Sequence, residues 1–314
     1  MWANRRSQGV IAALASALFM GAMPIFGKQA FGAGFSPLAV VALRSAIAAL
    51  LMLGAMNFQR QFFYIYPVGL VGCLIAGIIN GIGSIFYYTA LVRLDASVGH
   101  LIYSFYPLFV ALWLWLDRQK IGPITLLRLT LALPGIYLLI RTGHTPVDLA
   151  GALMMLLAAL FYALHLIINQ RILYEAPAPT VTFYTLLAMA ITVGIAFGVT
   201  HPTLPPLTLA WWPVLGMAGV TFLSRLTLFL GVKNLGGLQT ALLGLSELLV
   251  TVLLAQVWLN ERLSPAQWIG ALLIAGSMTL VALDPPTPER RTSSGWLRWL
   301  NPPQLPEIDL PWQR

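Results

Sequence analysis

The sequence predicts an all-α polytopic membrane protein: ten transmembrane helices arranged as two inverted five-helix repeats. Three observations predict it. Hydrophobic residues make up 59% of the 314-residue chain and charged residues only 9%. Soluble domains are nearer half apolar and a quarter charged, so lipid is the solvent that fits. The apolar residues fall in stretches of roughly 20, the length that crosses a bilayer as a helix. Finally, the second half of the chain echoes the first in register. A β-barrel would instead show short alternating segments. Within lipid the backbone groups must be satisfied inside each span, which selects helices.

The spans follow in order. The first, 9–29, comes after Arg5 and Arg6. It is too long for a cleavable signal core and is expected to act as the targeting helix. Ser36-Pro37 opens the second, 36–56. The third, 67–91, is crowded with Gly69, Gly72, Gly77, Gly81 and Gly83; small residues let helix backbones approach closely, and they also permit bending. The fourth and fifth, 96–116 and 122–140, are divided at Gly122-Pro123. Pro107 inside the fourth loosens the helix and frees a carbonyl. The second half runs 149–170, 179–199, 211–232, 236–258 and 264–283. Pro177-Ala178-Pro179, the proline-rich run from His201 to Pro206, and Ser264-Pro265 separate its members.

The expected organisation is a cytoplasmic N-terminus (1–8), a first repeat (9–141), a second repeat (142–283) and a cytoplasmic tail (284–314). The tail carries many prolines and Trp296, Trp299 and Trp312. It reads either as extended and disordered or, at 296–300, as an amphipathic segment lying in the interface.

Lysine and arginine set the orientation. With the N-terminus inside, Arg5, Arg6, Arg60, Arg118, Lys120, Arg171, Lys233, Arg290, Arg291, Arg298 and Arg314 fall inside. Lys28, Arg93, Arg141 and Arg262 fall outside. Both termini are therefore expected in the cytoplasm, in a bacterial-type plasma membrane. The net charge of +8 comes from these scattered residues; there is no basic stripe for nucleic acid.

The repeat is legible at several points. GVIAALASALF from Gly9 to Phe19 matches GALMMLLAALF from Gly151 to Phe161, an offset of 142 that also carries Pro37 onto Pro179. At an offset of 141, Leu133-Pro134-Gly135 meets Ile274-Ala275-Gly276. Five helices per unit is an odd number, so the second copy enters the membrane from the opposite side. Such inverted repeats build a pocket near the bilayer midplane.

Ionisable residues within spans are expensive and call for a partner or a pathway. Glu247 is the one acidic residue well inside a span. It stands about 18 Å along the helix from Leu235, on a face with Thr240, Gly244 and Thr251. Arg225 is about 12 Å along its helix from Lys233. The two together suit the carboxylate and ammonium of a zwitterion, or else neutralise each other as a structural pair.

At the 141 offset Asn80 maps onto Thr221, Ser84 onto Arg225, Tyr103 onto Gly244 and Tyr106 onto Glu247. Three further helical faces are polar or aromatic: Asn80, Ser84 and Tyr87; His100, Tyr103, Ser104 and Pro107; and Phe161, His165 and Asn169. All are expected to line one central cavity. Each has a plainer alternative. Tyr87, Tyr103 and Phe161 suit packing, and His165 is either a proton relay or a hydrogen-bonded structural residue. Lys28 gates or snorkels, and Arg44 and Arg128 lie near enough to span ends to snorkel.

The chain resembles the drug/metabolite transporter superfamily, EamA type, over about 9–283. The resemblance rests on Gly27-Lys28, Ser36-Pro37 to Leu43-Arg44, and Ala90-Leu91 through Ser104-Phe105-Tyr106-Pro107. In the second half it rests on Ala150-Gly151, Phe161-Tyr162-Ala163, Leu245-Ser246-Glu247-Leu248, and Leu259-Asn260-Glu261-Arg262-Leu263 with Gln267-Trp268-Ile269-Gly270. The chain departs from the family at Leu248, where proline often follows the glutamate. It departs again at Trp115 to Lys120, which lacks the usual loop glutamate. The resemblance implies ten spans, termini inside, and efflux or exchange of metabolites, amino acids or drugs.

Other chemistries find no residues. No phosphate-binding Gly-rich loop with lysine exists, and His100, His144, His165 and His201 are widely separated. The one cysteine, Cys73, forms no internal disulfide. No nucleophile motif of a hydrolase is present. The expected function is secondary transport of a small amphipathic or amino acid-like metabolite by alternating access, outward or by exchange, with no cofactor and no metal. An intramembrane enzyme or lipid-handling protein is the alternative, and a channel a third. A homodimer finds no support in the sequence.

Overall fold

The computed structural model describes residues 2–60, 63–119, 122–141, 148–202, 204–206, 211–259, 265–280 and 295–300. Their regular structure is helical throughout, with no strand among them. In chain order the helices are α1 (Trp2–Gly32), α2 (Pro37–Phe58), α3 (Pro67–Arg93), α4 (Ala96–Tyr103), α5 (Tyr106–Leu116) and α6 (Pro123–Arg141). The second half holds α7 (Leu149–Leu173), α8 (Ala178–Thr200), α9 (Trp212–Leu235), α10 (Gly237–Gly244), α11 (Ser246–Leu259) and α12 (Pro265–Thr279). A short 3₁₀ turn, Trp296–Leu300, follows.

Proline sets most of these starts. Pro37, Pro67, Pro107 and Pro213 each occupy a first-turn position, where the missing N–H has no helical partner to lose. Ser36 adds a side-chain cap to the N–H of Ala39 at 3.2 Å, and Asp148 caps α7 through Ala150 at 3.1 Å. Both replace orphaned helix-end partners.

Among the described residues, seven segments are long and apolar enough to cross a membrane: Arg5–Gly32, Pro37–Phe58, Pro67–Arg93, Leu149–Leu173, Ala178–Thr200, Trp212–Leu235 and Gly237–Trp258. The expected fourth span is present as two short helices, α4 and α5. The ninth is likewise split into α10 and α11. These interruptions correct the reading of 96–116 and 236–258 as continuous helices. At the 141 offset Ser104 corresponds to Leu245, so both breaks fall at one position of the repeat. The N-terminal boundary also differs, since α1 already begins at Trp2 and takes in the segment expected to precede it.

The helix pairings repeat across the two halves. α1 packs on α9 as α3 packs on α7; α1 packs on α11 as α7 packs on α5; α2 meets α9 as α8 meets α3. The self-related pairs α2·α8 and α6·α12 also pack. Exchanging the halves therefore reproduces the bundle.

Close approach needs small residues. A Cβ on Gly77 would stand 2.5 Å from the Ala188 Cβ and 2.6 Å from the Thr185 carbonyl, so α3 and α8 meet at backbone distance. In the tail, Leu297 and Leu300 are buried while Trp296 and Trp299 stay about 40% exposed. The turn thus docks Leu297 and Leu300 against α3 and α7 and leaves the two tryptophans facing outward. The string 260–264, His144, the remaining tail and the side chain of Arg128 lie outside the described residues.

Candidate functional site

A cavity of about 430 Å³, open-solvent space included, lies between the halves. Its polar lining is Arg44, Asn80, Ser84, Arg225 and Glu247, together with Tyr87, Tyr88, Tyr103 and Tyr162; Met20, Met23, Gly83 and Ala158 complete it. α2 contributes Arg44, α3 the run from Asn80 to Tyr88, α9 Arg225 and α11 Glu247.

The two arginines bridge α3 and α9. Arg44 is 2% exposed and donates to Ser84 Oγ of α3 at 3.2 Å and to Thr221 Oγ1 of α9 at 3.1 Å. Arg225, 5% exposed, donates to Asn80 Oδ1 of α3 at 3.2 Å and contacts His165 Nε2 of α7 at 3.3 Å. Asn80 precedes Ser84 by one turn of α3, so the α3 residues that the two guanidiniums hold stand about 6 Å apart along that helix. Asn80 with Thr221, and Ser84 with Arg225, are repeat equivalents; the arginines therefore stand where the halves face each other. Each lies over a ring: Arg44 is 5.0 Å from the Tyr88 centroid and Arg225 is 5.4 Å from that of Tyr162.

His165 has a defined role in this arrangement. A guanidinium only donates, so His165 Nε2 accepts. Nδ1 then carries the proton for the Ala76 carbonyl at 3.2 Å, while the Asn169 amide nitrogen, 3.0 Å from Nδ1, donates to the His165 carbonyl at 2.9 Å. The ring is a neutral acceptor that orients Arg225. Asn169 lies beside it, with its oxygen accepting from Thr185 Oγ1 at 3.0 Å.

Glu247 pairs with His100, not with Arg225. Its Oε1 is 3.1 Å from His100 Nε2, and His100 Nδ1 is 3.2 Å from the Tyr87 hydroxyl. Carboxylate, imidazole and phenol form a chain that crosses from α11 through α4 to α3.

The second helix break has a visible cause. Tyr106 of α5 donates its hydroxyl to the Ala241 carbonyl at 2.9 Å. The Leu245 N–H then turns to Leu242 at 3.3 Å. A side chain inserted into the ladder interrupts the helix. Gly244 makes room for it, since a Cβ there would be 2.1 Å from the Tyr106 hydroxyl. In the first half, Ser104 Oγ takes the His100 carbonyl at 2.8 Å, at the repeat equivalent of Ala241.

Of the expected cavity residues, Asn80, Ser84, Tyr87, Tyr103, Arg225 and Glu247 line the space. Five do not. His100 stands behind Glu247, and Ser104 bonds back to its own helix. Phe161 is stacked on Phe86 with centroids 6.0 Å apart. His165 lies behind Arg225. Thr240 bonds back to Gly236 at 2.9 Å. Helical spacing put them on the correct elements, but the breaks and the helix rotations turned them out of the lining.

Three polar or aromatic lining residues, Arg44, Tyr88 and Tyr162, stand outside the expected set. Arg44 does not snorkel; it is buried and turned inward. Tyr88 and Tyr162 hold the arginines, and Met20 adds a thioether 3.6 Å from the Tyr162 hydroxyl. The available signal was Arg44 itself, a cation inside a span. Lys28 donates to the Leu94 carbonyl at 2.6 Å, which places its ammonium at the end of α3, away from the cavity lining.

The model of the EamA-like transporter family matches the chain twice, over residues 7–141 and 149–283. One solved structure, described only as "Crystal structure of protein", is similar over 88% of this chain and 97% of its own, with a TM-score of 0.73 and 19% identity. At that identity the likeness speaks to the fold alone. No match was found among curated proteins.

Proposed function

We propose, from the premise that the chain belongs to the EamA-like transporter family and is a multi-pass membrane transporter of the drug/metabolite type, that it moves a small amphipathic or amino acid-like metabolite by alternating access, as export or exchange. The split helices α4/α5 and α10/α11 and the shorter α6 and α12 complete ten crossings in two inverted halves, with both termini cytoplasmic. The observation that carries this reading is the polar cavity at the junction of the halves. Costly buried cations gathered around an internal space mark a pathway more than a scaffold, and inverted repeats bind their substrate at that junction. The two helix breaks beside Tyr103 and Glu247 supply hinges for opening to either side. The Tyr87–His100–Glu247 chain is suited to coupling a proton to that movement.

The test is counterflow in proteoliposomes with radiolabelled amino acids and cationic drugs. Saturable, exchange-stimulated uptake is expected. Linear, non-saturating flux would make the protein a channel, and lipid turnover without any counterflow would make it a lipid-handling enzyme. Glu247→Gln is expected to flatten the pH dependence of exchange; a profile superimposable on the parent's would make the Glu247–His100 pair structural.

A further inference from the structure

We propose that the substrate carries an anionic head, a carboxylate, held between Arg44 and Arg225, with Tyr88 as a third donor. This rests on the transport reading and goes beyond it in naming the chemistry that the cavity selects.

The argument begins with what the two guanidiniums lack. Both are buried, and their hydrogen-bond partners are neutral: Ser84 and Thr221 for Arg44, Asn80 and His165 for Arg225. A buried charge is normally paired with its opposite. The acid nearest to hand, Glu247, is turned to His100 at 3.1 Å. Two cations therefore share a cavity with one carboxylate that is already engaged.

The second observation is independent of charge. Arg44 Nε, Arg225 Nε and the Tyr88 hydroxyl are buried and have no hydrogen-bond partner. All three residues line the same cavity. Buried donors are almost always satisfied, and these three are left for something that enters. The residues that the two guanidiniums hold on α3, Asn80 and Ser84, stand about one helical turn apart, and each guanidinium lies over a tyrosine ring. A carboxylate accepts through two oxygens and matches guanidinium donors. Tyr87, Tyr103, Met20 and Met23 form the rest of the wall, which suits an apolar body behind the head.

The experiment uses the full chain in proteoliposomes and matched probes on one skeleton. 3-Phenyllactate carries the anion, L-phenylalanine the zwitterion, and L-phenylalaninamide only the cation; leucine-derived counterparts repeat the series. The carboxylate-bearing probes are expected to exchange, and the amides to exchange roughly tenfold more slowly or not at all. Arg44→Gln and Arg225→Gln should each slow exchange of the anion by a similar factor, with the lysine variants in between, because lysine keeps the charge but not the fork. Gel filtration and thermal melting of each variant in detergent separate misfolding from lost recognition. In the folded parent, 3-phenyllactate should raise the melting temperature and the amide should not.

Amides exchanging as fast as the acids would overturn the inference, as would anion exchange unchanged in both glutamine variants. If only neutral or cationic members of the wider panel exchange, the anionic head is wrong while transport stands. If nothing exchanges, the transport reading fails, and the inference falls with it.

Discussion

Arg171 and Arg44 are both buried arginines of the same bundle, and they are held in opposite ways. Arg171 of α7 is in a buried ion pair with Asp117, just beyond α5, whose other oxygen receives the Leu297 N–H at 3.1 Å. That pair ties the end of α5 to α7 and to the 3₁₀ turn of the tail. Arg44 of α2 has hydroxyls and a tyrosine face, and its Nε has no partner. The first charge brought its own acid and holds the structure together. The second was buried without one. Burial alone does not mark a functional site; a buried charge whose counter-charge is missing does.

The comparison breaks most directly at Asp117. Asp117→Ala strands the Arg171 cation, and breaking a buried pair from one side costs about 3–5 kcal/mol. The melting temperature of the purified protein should fall steeply, and the tail should become more open to protease. A smaller loss is expected at the break between α10 and α11. Tyr106→Phe leaves the Ala241 carbonyl unpaired, at about 1–3 kcal/mol. Gly244→Ala drives a methyl into the same hydroxyl, and its penalty should shrink in the Tyr106→Phe background, which a double-mutant cycle on melting will measure.

Arg44→Gln should cost the fold least of the buried changes, within about 1 kcal/mol, because it removes an uncompensated charge along with its hydrogen bonds. Equal destabilisation by Arg44→Gln and Asp117→Ala would erase the contrast between the two arginines.

The smallest effect is expected at the surface. Arg93, 3.2 Å away, together with the Ala150 N–H, holds the Asp148 carboxyl below the ordinary value of 3.8. A depressed carboxylate stabilises the fold above its unfolded value and loses that contribution as pH falls through the folded one. Asp148→Asn, which keeps the helix cap, should therefore leave a melting curve near that of the parent, with the residual difference flat from neutral pH down to the ordinary carboxylate range and vanishing below it.

Several of these features were legible in the chain before any coordinates. Serine at position 36 and proline at 37 open α2 where expected. The pairing of Asn80 with Thr221 and Ser84 with Arg225 at one offset pointed to the two sides of the cavity. Pro107 signalled the first break, at the start of α5. The second break was not signalled, because its agent is a tyrosine from the other half of the molecule. Depth along the helix singles out Glu247 and points to Arg225 as its partner; the structure gives it His100 of α4 instead.

The sequence by itself determined the apolar stretches and the repeat, because these depend on hydropathy and spacing along one chain. Only the tertiary structure decided which way each helix is turned. These helices are apolar on nearly every side, so no broad polar stripe dictates their rotation. Close contacts do so instead, such as Gly77 against α8 and Gly21 against α11, where a Cβ would stand 2.7 Å from the Glu247 carbonyl. The packing leaves Arg44 buried against α3 and α9 and sets Glu247 beside His100. The uncompensated pair of arginines is a property of the packing, and no single segment of the chain contains it.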